Sequence, residues 1–312
     1  HLSSIVVGSN TFVPGYSAGK EASIGAKNKI KRIFPLFVAT WAKYQKGRAP
    51  IFALETPLYT MSHETADPTA VLPDDHWRPT YEDIHIMIRQ ESLKVREEFE
   101  PDLMVAIGGG GFFPARVLRT FLRKQDKHNP GKLRNVPIQA IGLSLYEETE
   151  GSAGDKIGTE VVRTQWLDVA NSQMSSNSRD NAGGLLGKNI LIVDEVDESR
   201  MTLHYAYREL LKDVHKALES YSEEERASMR PTRFAIFVVH NKLGPKRAEL
   251  PIIESAAEEK IEGGVSTGVY YYAAETMPPV WINYPWEETD IFEHNRLSQL
   301  AKQLGVGQPP RT

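Results

Sequence analysis

Apolar residues in this chain gather into short runs at 103–107, 136–145, 190–193 and 234–239. The runs are rich in branched side chains and the shorter ones cannot make a buried helix, so they predict strands covered on both faces. Between them the period lengthens. Ile84, Ile88, Val95 and Phe99 share one helical face, and Leu203, Tyr207, Leu210, Leu211, Val214 and Leu218 recur at steps of three and four. Helices are therefore predicted from Thr80 to a stop at Pro101, over 115–124, from Leu203 onward and over 291–304. Strands alternating with helices predict an α/β fold, with a central, mainly parallel sheet flanked by helices.

Punctuation divides the chain further. Thr80 with Asp83 makes a capping-box start, which places the opening of the main domain, 80–312, at that point. Residues 62–79 hold Asp67, Pro68, Pro73, Asp74, Asp75 and Pro79 and read as a linker. Segment 125–135, with Pro130 and Gly131, reads as a surface loop, and 219–230 as a charged connection. A Gly-, Ser- and acid-rich stretch at 147–158 is followed by 161–166, the expected returning arm of a hairpin. The Trp-rich segment 280–287 reads as a strand of the core.

Composition narrows the function classes. With 37 basic and 41 acidic residues the net charge is -4, which argues against a protein that coats nucleic acid. No apolar run reaches the roughly 18 residues of a membrane span. The absence of cysteine excludes disulfides, thiolate metal sites and a cysteine nucleophile, and a cytoplasmic enzyme is the expectation. The first fifty residues carry eight lysines and arginines against one acid, Glu21. That composition suits an organelle-targeting leader or an extension, 1–79, that packs on the main domain.

The candidate chemistry lies at two strand ends. After 190–193 come Asp194, Glu195, Asp197 and Glu198, then Ser199, Arg200, Met201 and Thr202, just before the helix begins. Carboxylates there can hold sugar hydroxyls or magnesium. Open N–H groups at a helix start bind phosphate, each charge gaining about 0.3 to 1 kcal/mol at an exposed site. An acidic turn that only caps a helix has the same pattern. After 103–107 comes Gly108-Gly-Gly-Gly111, and a glycine loop lets backbone approach an anion closely, although tight packing turns use glycine too. The run fits neither the Walker nor the dinucleotide spacing. Without His-x-His, His-Glu-x-x-His or cysteine, zinc is not expected, and His240 reads as a satisfied strand-end histidine.

The stretch 190–203 resembles the 5-phosphoribosyl-1-pyrophosphate (PRPP) signature of type I phosphoribosyltransferases: four apolar residues, two acids, two variable residues, an acid, Thr-Gly, one residue and Thr. It departs at Glu198, where Asp is usual, and at Ser199-Arg200, where Thr-Gly is usual. Blocks at 106–121, 137–147, 162–168, 190–205 and 237–251 with 271–294 resemble the same family in order. The likeness covers 80 to about 305 and is nearest to the fungal hypoxanthine-guanine and xanthine branch. It has no counterpart for 1–79.

The resemblance implies a type I phosphoribosyltransferase fold with a small purine-binding hood, and transfer of phosphoribosyl from PRPP to N9 of a 6-oxopurine. Asp194 and Glu195 would hold the ribose hydroxyls, with Glu198 handling the purine proton. Glu198, Ser199, Arg200, Met201 and Thr202 would wrap the 5-phosphate. Gly109, Gly110 and Gly111 would bind pyrophosphate, around a cis peptide expected at Gly108–Gly109. Lys242 would donate to the 6-oxo group, Trp281 would stack on the base, and Ile282 and Glu287 would meet its exocyclic groups. Ser144 and Tyr146 would open a mobile lid. The cofactor would be Mg2+ on Asp194, Glu195 and Glu287, partly through water. The product would be a nucleoside monophosphate and the assembly a homodimer, with neither nucleic acid nor membrane as partner. The other reading is a regulatory protein that binds PRPP or nucleotide with little or no turnover.

Overall fold

The computed structural model describes residues 71–126, 129–146, 160–167 and 184–305. All belong to one compact unit spanning 65–312. The basic leader, the first half of the expected linker and the stretch 147–158 lie outside the described residues.

Helix α1 (Tyr81–Lys94) begins at the expected capping box. Thr80 Oγ1 accepts the Asp83 N–H at 3.1 Å, and the Asp83 carboxylate accepts the Thr80 N–H at 2.8 Å. The helix continues as a wider π-helical turn, Val95–Phe99, and ends at Glu100 in the left-handed region (φ 53°) just before Pro101. Strand β1 (Leu103–Gly108), helix α2 (Phe112–Phe121), a short hairpin of β2 (Lys124–Gln125) and β3 (Leu133–Arg134), and strand β4 (Ile138–Tyr146) follow. Next come β5 (Glu160–Gln165), β6 (Asn189–Asp197), α3 (Met201–Leu218), α4 (Glu223–Ser228), β7 (Thr232–Lys242), β8 (Ile261–Glu262), β9 (Val265–Met277) and α5 (Ile291–Leu304).

Seven strands form one sheet in the order β5-β4-β1-β6-β7-β9-β8. The five inner strands are mutually parallel and the two edge strands antiparallel. Alternating side chains feed two cores. Met104, Ala106, Leu191, Val193 and Phe237 pack with α1 and α2, whereas Leu103, Val105, Ile190, Ile192, Phe234 and Ile236 pack with α3. Burial on both faces is why the inner strands read as unbroken apolar runs. Each fully buried Leu, Ile, Val or Phe contributes about 1.5–3 kcal/mol.

Several boundaries differ from the sequence expectation. Helix α2 starts at Phe112 rather than 115, because Gly111 already accepts the Ala115 N–H at 3.0 Å. The expected loop 125–135 contains β3 and the second residue of β2. The charged segment after α3 forms α4, capped reciprocally by Ser222 and Glu225 with three acids in its first turn, where the helix dipole favours them. The Trp-rich segment is not a sheet strand. Preceded by Pro278 and Pro279 and interrupted by Pro285, it makes only a two-residue bridge, Trp77 to Ile282, and forms the hood over the carboxyl end of β6. Trp77, in the expected linker, is buried there and exchanges backbone bonds with Trp281 and Asn283 at 2.8 and 2.9 Å. Strand β9 went unread, because its glycine and polar residues hide a segment that neighbouring strands bury.

Candidate active site

β1 and β6 are neighbours, and the chain runs on from β1 to β4 on one side and from β6 to β7 on the other. The crevice outside the carboxyl ends of β1 and β6 is therefore a topological switch point, where open α/β sheets bind ligands. Ala106 sits opposite Val193, so the glycine run and the acidic stretch leave neighbouring strands.

The glycines answer to close approach. A Cβ on Gly111 would lie 2.3 Å from the Val193 carbonyl oxygen and 2.7 Å from that of Ile107, so only glycine fits. A Cβ on Gly110 would lie 2.0 Å from the carboxyl carbon of Glu195, which brings the loop against the acidic stretch. Gly109 faces open space, with nothing within 4 Å of such a Cβ, and the Gly108–Gly109 peptide is cis.

Three of the acids, Asp194, Glu195 and Asp197, stand in strand, and Glu198 alone lies in the bend that follows. β6 runs on through the three, pairing Asp194 with Val238 and Asp197 with Asn241, because β7 is long enough to satisfy their backbone. Asp194 Oδ1 accepts the Glu195 N–H at 2.9 Å, and Glu195 Oε2 accepts the Trp286 indole N–H at 3.0 Å. Burial, reinforced by the charge of Glu287, pushes the Glu195 carboxyl up to about 7 although the indole N–H acts the other way. Burial and then the Glu195 charge push Asp194 up to about 8. Phe113, Trp286 and Tyr284 form a stack behind this pair, with centroids 5.2 and 4.8 Å apart. The Tyr284 hydroxyl lies 3.2 Å from the Glu195 carbonyl and 2.8 Å from His240 Nδ1. His240 is buried, and burial holds its imidazole below the usual range.

Arg200, where the family carries glycine, occupies the left-handed region (φ 69°) and is the N-cap of α3. Buried Asp197 holds it, accepting from Arg200 Nε and Nη2 at 2.9 and 2.8 Å and from the Tyr271 hydroxyl at 2.7 Å. Lys246 clamps the same turn, donating to the carbonyls of Asp197, Glu198 and Lys242 at 2.7, 3.1 and 3.0 Å. The start of α3 has no side-chain cap and no acid in its first turn, so its N–H groups remain suited to an anion. Ser199 Oγ approaches only the Met201 N–H, at 3.4 Å, and Thr202 lies in the first turn.

Glu195, Glu198, Lys242, Trp281, Ile282 and Glu287 converge, with Val196 and Tyr284, on one cavity of about 150 Å³. Lys242 is buried, and its ammonium meets Glu198 Oε1 at 3.0 Å, whereas Glu198 is 69% exposed at the cavity's edge. Trp281, which lines the cavity, is 66% exposed, and its indole meets the His76 ring with centroids 6.0 Å apart. Gly109, Gly110, Gly111, Asp194, Ser199, Arg200, Met201 and Thr202 do not line this cavity. They lie at the ends of β1 and β6 and in the turn that leads into α3. Ser144 and Tyr146 lie on the last residues of β4, paired with Val162 and Glu160, and the lid loop expected at 147–158 lies outside the described residues. Among the described residues, no three acidic or imidazole side chains gather closely enough to cage a metal, so Asp194, Glu195 and Glu287 form no ready-made site.

Sequence reasoning gave no individual role to Asp197, Lys246, Tyr271 or Trp286. Asp197 stood in the signature at a position treated as variable, and its hydrogen-bonding partners come from distant strands and loops.

An open, mainly parallel sheet with a glycine loop and an uncapped helix start at its switch point defines an α/β protein whose crevice suits an anionic ligand. No protein-family model matches the chain. Curated relatives do. The hypoxanthine-guanine phosphoribosyltransferase of Schizosaccharomyces pombe is 46% identical over 224 residues, 72% of this chain and 93% of that protein. The Saccharomyces cerevisiae hypoxanthine-guanine enzyme is 40% identical over 70% of this chain and 89% of its own. Xanthine phosphoribosyltransferase 1 of the same yeast is 42% identical over 71% and 88%. The chain belongs to the purine phosphoribosyltransferase family.

Proposed function

We propose that the cleft transfers the 5-phosphoribosyl group of PRPP to N9 of a 6-oxopurine, releasing pyrophosphate and giving a nucleoside 5'-monophosphate. The observation that carries this reading is the cavity shared by Lys242, Trp281 and Glu287 with the acids that end β6. The purine lies against Trp281, with its 6-oxo group on the Lys242 ammonium and its exocyclic groups near Ile282 and Glu287. Glu198, now paired with Lys242, releases that ammonium to the base and takes the proton shed from the purine nitrogen. Adenine is rejected because its amino group leaves the lysine donor unpaired, a mismatch worth about 10⁴ to 10⁵ in a site built for the acceptor.

On the ribose side, Asp194 and Glu195 accept the sugar hydroxyls, the turn 198–202 wraps the 5-phosphate, and Gly109 to Gly111 receive pyrophosphate through backbone N–H groups. The carboxylates suit a magnesium-bound substrate. Glu195 and Glu287 repel one another, and a hard cation with oxygen ligands removes that repulsion without needing a closed protein cage. Asp194, Glu195 and Glu287 would hold it, partly through water. Magnesium, when bound, neutralises charge on the departing pyrophosphate.

The test is incubation with PRPP, magnesium and each of hypoxanthine, guanine, xanthine and adenine while pyrophosphate is measured. Release with at least one 6-oxopurine and none with adenine is expected. Binding of PRPP without release for any base would establish a regulatory binding protein instead.

A further inference from the structure

The opposite end of the sheet carries a second cavity, of about 590 Å³, beside the amino ends of β1 and β6. Five cations line it, Arg96, Arg123, Lys124, Arg134 and Arg230, against the two acids Glu100 and Asp102. In a chain whose net charge is -4, this is a local reversal of sign. Asp102 is already committed. It accepts Lys124 Nζ at 2.8 Å, Arg230 Nη1 at 2.7 Å and the Asn189 N–H at 3.1 Å. The Glu100 carboxylate points to solvent, 3.9 Å from Lys124. Among the described residues, Arg96, Arg123 and Arg134 meet no acid at ion-pair distance.

The local backbone builds this site. The π-helical turn Val95–Phe99 carries Arg96, and the left-handed Glu100 that ends it turns its carbonyl to Lys124 Nζ at 2.8 Å. Such turns and left-handed non-glycine residues cost energy and recur at functional sites. The β2–β3 pairing sets Lys124 opposite Arg134, keeping two cations side by side. Burial, with Arg134 adding to it, holds the nearby Lys188 ammonium below its usual range despite Asp102.

We propose that this cavity binds a chain of linked phosphates, recognised by the guanidinium forks of Arg96, Arg123 and Arg134. Guanidinium groups match phosphate oxygens in pairs, and several of them answer the closely spaced charges of an oligophosphate better than a single phosphate. No aromatic residue lines the cavity, so no nucleobase is stacked there and the phosphate chain is the recognised part. An inorganic oligophosphate and the tail of a nucleoside triphosphate present this same chemistry.

The test is calorimetric titration of the full chain, without magnesium, with tripolyphosphate, ATP and orthophosphate. For the wild type, one tripolyphosphate site beyond any at the cleft is expected. The doubly substituted Arg123→Glu/Arg134→Glu protein should bind there at least tenfold more weakly, with unchanged turnover of PRPP and purine. Arg96→Gln/Arg123→Gln, at two exposed positions, gives the same answer if the charge reversal fails to fold. ATP and tripolyphosphate binding within tenfold of each other supports recognition of the chain alone. Wild-type and variant isotherms that coincide, orthophosphate binding as tightly as tripolyphosphate, or ATP binding far more tightly would each overturn the proposal.

Discussion

Replacing Asp197 with alanine tests how the turn 198–202, proposed to wrap the 5-phosphate, is held. Asp197 is 1% exposed and accepts Arg200 twice, at 2.9 and 2.8 Å, and Tyr271 at 2.7 Å, with Lys246 Nζ at 3.3 Å. Removing one partner of a buried ion pair costs about 3–5 kcal/mol, because the other charge is left uncompensated. Arg200 and Lys246 retain some contact with water, at 15% and 19% side-chain exposure. The lower end of that range, about 3 kcal/mol, is therefore expected. For a unit of this size it lowers the melting temperature by about 6–12 °C. A second effect falls on function. A non-glycine residue in the left-handed region costs about 1–2 kcal/mol, and the Asp197 contact is what holds Arg200 there. Once freed, the turn drifts from the geometry its N–H groups need, and the KM for PRPP rises about tenfold, equivalent to about 1.4 kcal/mol. Thermal denaturation and initial rates at varied PRPP read the two effects, with Asp197→Asn falling between. A melting temperature within about 2 °C of wild type, or an unchanged KM for PRPP, refutes the argument.

Other outcomes follow from the same geometry. Trp286→Phe keeps the stack on Phe113 and Tyr284 but removes the N–H that Glu195 accepts, a bond to a charged group worth about 1.5–3 kcal/mol. The KM for PRPP should rise by tenfold or more while that for the base stays put, and equal effects on both would sink the assignment. Lys242→Ala should chiefly weaken base binding, and unaltered KM values for every purine would remove it from the site. Glu198→Asp should keep or raise turnover, and a large loss would show that the longer acid is needed to reach Lys242. Asp194 and Glu195 hold their protons up to about pH 8 and 7 in the folded protein, whereas the unfolded chain loses them near 4. The folded state thus binds more protons across that window, so the stability of the ligand-free protein falls as pH rises from 5 to 8. Melting curves of wild type and Glu195→Gln check this, and a wild-type profile no steeper than the variant's contradicts it.

The sequence alone determined the alternation of buried strands and amphipathic helices, since periodicity is a local property. Thr80 with Asp83, the apolar runs of β1, β6 and β7, and α5 at Ile291–Leu304 were legible for that reason. The order of acids and hydroxyls in 194–202 was legible as well, because it is a contiguous code. Tertiary structure decided what depends on distant partners. β7 extends β6 through its acids, and Asp197 becomes the anchor of Arg200 only when Tyr271 and Lys246 arrive from elsewhere in the fold. Trp77 and Ile282, far apart in the chain, make the hood that brings Trp281 to the cavity it shares with Lys242. Periodicity reports which face of an element is buried, but not which other element buries it. The arrangement of the cleft is therefore a property of the packed sheet and hood.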